Sequence, residues 1–194
     1  TRGVPGTHDI QLMINLFRKV KKNTFRSISI PKFDKSIDDR CKKNTWFKLK
    51  KKPDILILEG WCVGAKPEGS RSLNRPINIL EKNADKKKIW RSYVNNQLKS
   101  KYSKLFDQLD SLLYLKAKNF KLLKRWRLKQ EKKLKMKSGT KKNSKIMNEK
   151  EVETFMMTYQ RITQNMFKNA PKYSSAVIDL NENHQIKKVK FKHA

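Results

Sequence analysis

Acidic residues are scarce in this 194-residue chain: 17 Asp and Glu stand against 48 Lys and Arg, leaving a net charge of +31. Long apolar runs are missing too. The longest fall far short of the roughly 20 residues a helical membrane span needs, so no such span is expected. Cysteine is nearly absent. Cys41 and Cys62 are the only two, without metal-ligand spacing, which argues against a disulfide framework or a zinc module and for a reducing, cytoplasmic setting. No apolar leader follows Thr1, so no secretory signal is expected. The chain contains no Gly-rich phosphate loop and none of the motifs that read RNA or DNA.

What is present is clustered. Hydrophobic residues make up 37% of the chain, gathered in patches, and 194 residues are enough for one domain with a real core. The positive charge has two readings. Lys and Arg can displace counterions from nucleic-acid phosphates. Here, however, the lysines are scattered along the whole chain, and Asn and Ile are abundant, as an AT-rich genome would impose. A solvated surface explains that scatter better, and nucleic acid is not the expected partner.

The pattern centres on Pro53-Asp54-Ile55-Leu56-Ile57-Leu58-Glu59-Gly60. An unbroken aliphatic run bounded by turn residues predicts a strand buried on both faces, as in a parallel sheet. Ligands of such sheets bind beyond the strand ends, where Glu59 stands. Either it faces a cation there or it turns out to solvent.

Upstream, Gly3, Pro5 and Gly6 make a loop, and Thr7 or Asp9 can cap a helix carrying Ile10, Met13, Ile14, Phe17 and Val20 on one face. His8 and Asp9 are thus either capping residues or part of a site. Ser27–Pro31 alternates as a short strand and leads into a segment of mixed charge containing Asp34, Lys35 and Arg40. Loops after strands are where binding residues concentrate.

Downstream, the spacing predicts a helix over 89–105, with Trp90, Tyr93, Val94, Leu98, Tyr102 and Leu105 as its apolar stripe, and a strand over 111–115. A long helix over 120–137 and a basic loop over 135–150 follow. A helix over 149–167 and a hairpin formed by 175–180 and 186–191 complete the chain. Strands near residues 30, 57, 113 and 178 alternating with helices predict an α/β layer fold with a mainly parallel sheet.

Several of these segments resemble one family. Pro53 to Gly60 is similar to the second acidic strand of P-loop small-molecule kinases of the pantothenate, uridine and phosphoribulose kinase group. The D-glycerate 3-kinase branch is resembled more specifically by Arg2-Gly3-Val4-Pro5-Gly6-Thr7-His8-Asp9, by Pro31-Lys32-Phe33-Asp34-Lys35-Ser36 with Asp39-Arg40, and by Glu59-Gly60-Trp61-Cys62-Val63-Gly64. Trp90 with Tyr93-Val94-Asn95, and Trp126-Arg127 with Gln130-Glu131, fit the same branch. The motifs come in the family's order over nearly the whole chain.

The resemblance implies a P-loop NTPase-like three-layer sandwich, truncated at its N-terminus. Residues 1–194 would form the C-terminal two thirds of a single kinase domain, with a lid-like helix and mobile basic loop over 118–150. The family's G-x-x-x-x-G-K-[ST] loop is absent, and so is the acidic strand that follows it in the family, upstream of the Arg-Gly motif, and would carry the catalytic base. The implied activity of the full-length enzyme is ATP-dependent phosphorylation of a hydroxyl of a small acid, D-glycerate, with the fragment alone inactive.

By the same resemblance, Arg2, His8, Asp9, Asp34, Lys35 and Arg40 would bind the acceptor. Glu59 would lie beside magnesium and the phosphates of ATP. Arg125 and Arg127 would neutralise charge on the transferring phosphoryl group. For each basic residue a solvated surface charge is the other reading. A basic nucleic-acid-binding module and a kinase-derived scaffold without catalysis are the rival functions.

Overall fold

The computed structural model describes residues 3–34, 39–138 and 146–192. Contacts divide the chain into two compact units, Asp9–Trp61 and the remainder up to His8 and from Cys62 onward.

In the Asp9–Trp61 unit, helix α1 (Ile10–Lys22) forms where the periodicity places it. Asp9 is its N-cap, accepting from the Leu12 N–H, and Asn23 closes it in the left-handed region at φ 51°. Ile10, Ile14, Phe17 and Val20 form its buried stripe, while Lys19, Lys21 and Lys22 complement the dipole at its C-terminus. Strands β1 (Ile28–Ile30) and β4 (Phe47–Leu49) pair antiparallel, and β2 (Phe33–Asp34) pairs with β3 (Asp39–Arg40).

The central expectation fails here. Residues Ile55–Leu58 belong to no strand. Ile55 is 77% and Ile57 82% exposed. An aliphatic run becomes a strand only where a ladder partner accepts its backbone hydrogen bonds, and among the described residues it has none. The strand near residue 30 likewise pairs with 47–49 in a ribbon, not in a parallel sheet.

The other unit holds α2 (Ile79–Ala84), α3 (Ile89–Gln97) continued by a π turn over Leu98–Tyr102 into α4 (Ser103–Phe106), then β5 (Leu113–Lys116), α5 (Phe120–Ser138), α6 (Glu149–Tyr173), β6 (Ala176–Leu180) and β7 (Ile186–Phe191). Strands β5 and β6 are parallel, with Tyr114 opposite Val177, and β7 returns antiparallel to β6 as the expected hairpin. Together with the helices this is a mixed α/β fold, but among the described residues only one pair of strands is parallel.

The sheet is also not covered on both faces. Tyr114 is buried, yet its neighbours Leu113 and Leu115 are 62% and 61% exposed, so the three-layer arrangement does not hold at β5. The core instead gathers Val94, Leu98, Tyr102 and Leu105 with Leu122, Val152, Ile162 and Met166. Helix α6 opens with a reciprocal cap, Asn148 accepting from Glu151 N–H and the Glu151 carboxylate from Asn148 N–H. The expected basic loop is shorter than 135–150, because α5 reaches Ser138; residues 139–145 lie outside the described part.

Candidate functional site

The loop ahead of α1 is folded back on itself. Val4 is fully buried. The Thr7 hydroxyl accepts from Gly3 N–H at 2.8 Å and donates to the Val4 carbonyl at 2.7 Å. Gly6 has φ +98°, and a Cβ there would lie 2.5 Å from the Tyr93 ring, so a side chain is excluded by conformation and by space. The Gly6 N–H donates to the Tyr102 hydroxyl at 3.1 Å, and the same hydroxyl lies 2.6 Å from His8 Nδ1. Tyr93 donates its hydroxyl hydrogen to the Gly6 carbonyl.

Beside this loop is a cavity of about 680 Å³, walled by Gly6 and Thr7, by the 83–87 segment, and by Ile89, Trp90 and Tyr93. Asp85 builds the wall. Its carboxylate accepts from the Trp90 and Arg91 N–H groups at 2.9 and 3.0 Å, capping α3 in place of Lys88, which sits at φ 60° without a side-chain cap. The buried Arg91 guanidinium donates to Asp85 and to the Leu73 carbonyl. Trp90 and Tyr93 are stacked with centroids 6.1 Å apart and are 40% and 44% exposed. The helical stripe read from sequence had placed both in the core.

In the Asp9–Trp61 unit, Asp9 has two tasks. It caps α1 through Oδ1, and its Oδ2 accepts from Arg40 Nη2 at 2.8 Å. Both side chains of that pair are nearly half exposed, so it adds little to stability and leaves the charges within reach of a ligand. Asp34 stands on β2 opposite Asp39. Glu59 is exposed and outside any regular element. Arg2 and Lys35 lie outside the described residues.

Arg125 and Arg127 both project from α5. Arg125 pairs with Glu182 in the β6–β7 turn at 3.3 Å, largely exposed. That turn is fastened to α5 by the Trp126 Nε1–H, which donates to the Glu182 carbonyl at 2.8 Å, and by Trp126 stacked on His184 at 4.1 Å. Arg127 donates to Gln130 and Glu131 and lies 5.2 Å over the Phe155 ring. Glu131 in turn accepts from Met147 N–H. The buried Arg127 Nε–H meets no acceptor among the described residues.

For a nucleotide, these guanidinium groups suit polyphosphate charge, but among the described residues no Gly-rich cradle of backbone amides is present to hold it. Among the described residues no three His, Cys, Asp or Glu converge as a metal site.

Three features were not visible in the sequence. Tyr102 was read only as part of an apolar stripe, although a buried tyrosine hydroxyl needs a partner. Asp85 and Arg91 were not singled out. Nor was Arg161, 9% exposed, which donates to both oxygens of Glu81 at 2.7 and 2.6 Å and to Glu68 at 2.8 Å. Burial works against its charge, but the hydrogen bonds and attraction of Glu81 and Glu68 outweigh it and raise its pKa.

The fold is that of a known class of α/β kinases. It superposes with a TM-score of 0.78 on D-glycerate 3-kinase from Cryptococcus neoformans, at 23% identity, over 98% of this chain and 69% of that one. In sequence, the chain is 34% identical over 164 residues to the uncharacterized kinase mug58 of Schizosaccharomyces pombe, 81% of this chain and 56% of that protein. It is 24% identical over 136 residues to the chloroplastic D-glycerate 3-kinase of Arabidopsis thaliana, 67% of this chain and 27% of that one. Its homologues and structural neighbours are D-glycerate 3-kinase-like kinases. It spans little more than half the length of the first of these relatives and about a quarter of the second. No protein-family model matches it.

Proposed function

We propose that the protein containing these residues is an ATP-dependent phosphotransferase whose acceptor is a hydroxyl of a small acid, D-glycerate. The observation that carries this reading is kinship with a kinase over 81% of the chain. The geometry supports a small, polar acceptor. Within the Asp9–Trp61 unit, the half-exposed charges of Asp9 and Arg40 suit a polyhydroxy acid. Arg40, with Lys35, holds the acceptor carboxylate through charge-assisted hydrogen bonds. Arg2, His8, Asp9 and Asp34 bind its remaining oxygens.

ATP supplies the phosphoryl group. Arg125 and Arg127, carried by α5 as a lid-like helix, neutralise charge on that group as it transfers, where fixed cations act most strongly. Catalysis of this kind is positioning plus electrostatics. Glu59 is the candidate carboxylate on the magnesium side. A single exposed carboxylate does not hold that ion without phosphate oxygens, and no step is assigned to it.

In this reading the phosphates of ATP need a Gly-rich loop that these 194 residues do not contain. On its own, the 194-residue chain is expected to be inactive.

The test is steady-state kinetics of the full-length protein against D-glycerate, pantothenate and uridine. D-Glycerate gives the highest kcat/KM. Arg40→Ala raises KM for D-glycerate by about tenfold or more, the loss of one charge-assisted contact. Arg127→Ala acts mainly on kcat. Equal turnover of all three acceptors, or an Arg40→Ala enzyme with unchanged KM, defeats the acceptor assignment.

A further inference from the structure

The His8 ring is held by a contact at one of its nitrogens. Nδ1 lies 2.6 Å from the hydroxyl of Tyr102, a residue only 2% exposed. The two rings meet edge to face at 62°. Tyr102 closes the π turn that joins α3 to α4, an insertion that re-aims side chains relative to a regular helix. Phe106 packs against its ring at 5.9 Å.

A phenol has one hydrogen to donate and two lone pairs to accept with. At Tyr102 the Gly6 N–H already donates to the oxygen. Burial pushes the phenol up to about 12, against the pull of the Gly6 N–H, so near neutral pH the hydroxyl keeps its hydrogen. A buried O–H without an acceptor is costly. Among the described residues, His8 Nδ1, at 2.6 Å, is the acceptor in reach. If Nδ1 carried a hydrogen instead, it would donate to Tyr102 and leave the phenol's own hydrogen stranded.

We propose that Tyr102 is a positioning residue for acceptor binding: its hydroxyl fixes the His8 ring and holds it as the tautomer protonated at Nε2. His8 then offers a hydrogen-bond donor to an oxygen-rich acceptor. The backbone of Gly6 is part of the device, because its N–H sets which way the phenol hydrogen points. The kinetic half of the proposal rests on His8 belonging to the acceptor site; the tautomer half does not.

The test uses full-length protein labelled with 15N histidine. In long-range 1H–15N spectra at pH 8, His8 shows the pattern of the Nε2–H tautomer alone. Tyr102→Phe moves its Nδ1 shift toward the average of both tautomers. An Nδ1–H pattern in the wild type, or a spectrum that Tyr102→Phe does not change, overturns the lock. The wild-type spectrum decides even if the variant folds poorly.

Kinetically, Tyr102→Phe raises KM for the acceptor by about fivefold with kcat nearly constant, the scale of one neutral hydrogen bond. His8→Gln, which keeps an N–H near the Nε2 position, retains more acceptor affinity than His8→Ala. If the spectra are as expected but His8→Ala binds the acceptor like wild type, the acceptor role of His8 fails while the lock stands.

Discussion

Arg161 keeps a full positive charge in the interior by surrounding it with oxygen. Glu81 takes it bidentately, Glu68 takes one nitrogen, and the Arg75 carbonyl accepts at 2.7 Å. Removing the cation would leave two poorly solvated carboxylates facing each other. Arg161→Met is therefore expected to lower unfolding free energy by about 3–5 kcal/mol, measured by urea denaturation, because breaking a buried pair on one side strands its partners. A loss below about 1 kcal/mol, the range of surface pairs, would show that the site is solvated.

The protonated side of the same argument concerns Cys62 and Tyr102. Burial raises the Cys62 thiol from 9.0 to about 12 and the Tyr102 phenol from 10.0 to about 12. The folded state thus holds these protons to higher pH than the unfolded chain, and stability falls as pH rises through that window. Their contribution is complete below about pH 9 and is lost progressively between 9 and 12. Urea midpoints at pH 7, 9 and 10.5 should be flat and then drop, with a smaller drop in Cys62→Ala. An equal drop in that variant would show that burial of the Cys62 thiol does not carry the effect.

At the scale of elements, the strongest local signals were the legible ones. The i, i+4, i+7 apolar spacing of α1, its Asp9 cap and the terminal hairpin were readable because each is settled by neighbouring residues. The Asn148–Glu151 cap of α6 is of the same kind. Asn148→Ala should cost about 1 kcal/mol, seen as a lower Tm, and Asn148→Asp much less. Equal losses in both would show that the cap does not hold the helix end.

The misread elements depended on partners far along the chain. The Ile55–Leu58 run has strand composition, yet strand formation requires a ladder that its composition does not specify. In α5, the long Lys-rich sequence hides which face is inward: Leu122 and Glu131 are buried while Leu134 is 43% exposed. Trp90 and Tyr93 looked like core at helical spacing, whereas they wall a cavity, because the core face of α3 runs through Arg91, Val94 and Leu98. An arginine on an inward face is the signal that periodicity of apolar residues alone passes over. At the candidate site, motif order pointed to His8, Asp9 and Arg40, but nothing in it pointed to the Tyr102 hydroxyl that lies 2.6 Å from His8 Nδ1.

For the whole molecule, the +31 charge and the kinship point in different directions, and kinship decides. Lysines spread over every segment make a field that any polyanion feels. Such attraction is blind to sequence and falls steeply with salt. No helix among the described residues is long and apolar enough to cross a membrane. By contrast, the match to kinases runs along most of the chain. The central claim is phosphoryl transfer to a small hydroxy acid. It is tested most directly by 31P NMR of the full-length protein with magnesium-ATP and D-glycerate. The account predicts that the γ-phosphate signal is replaced by ADP and a phosphomonoester only when the hydroxy acid is present. A spectrum in which ATP persists, or yields only inorganic phosphate with every hydroxy acid offered, would contradict it.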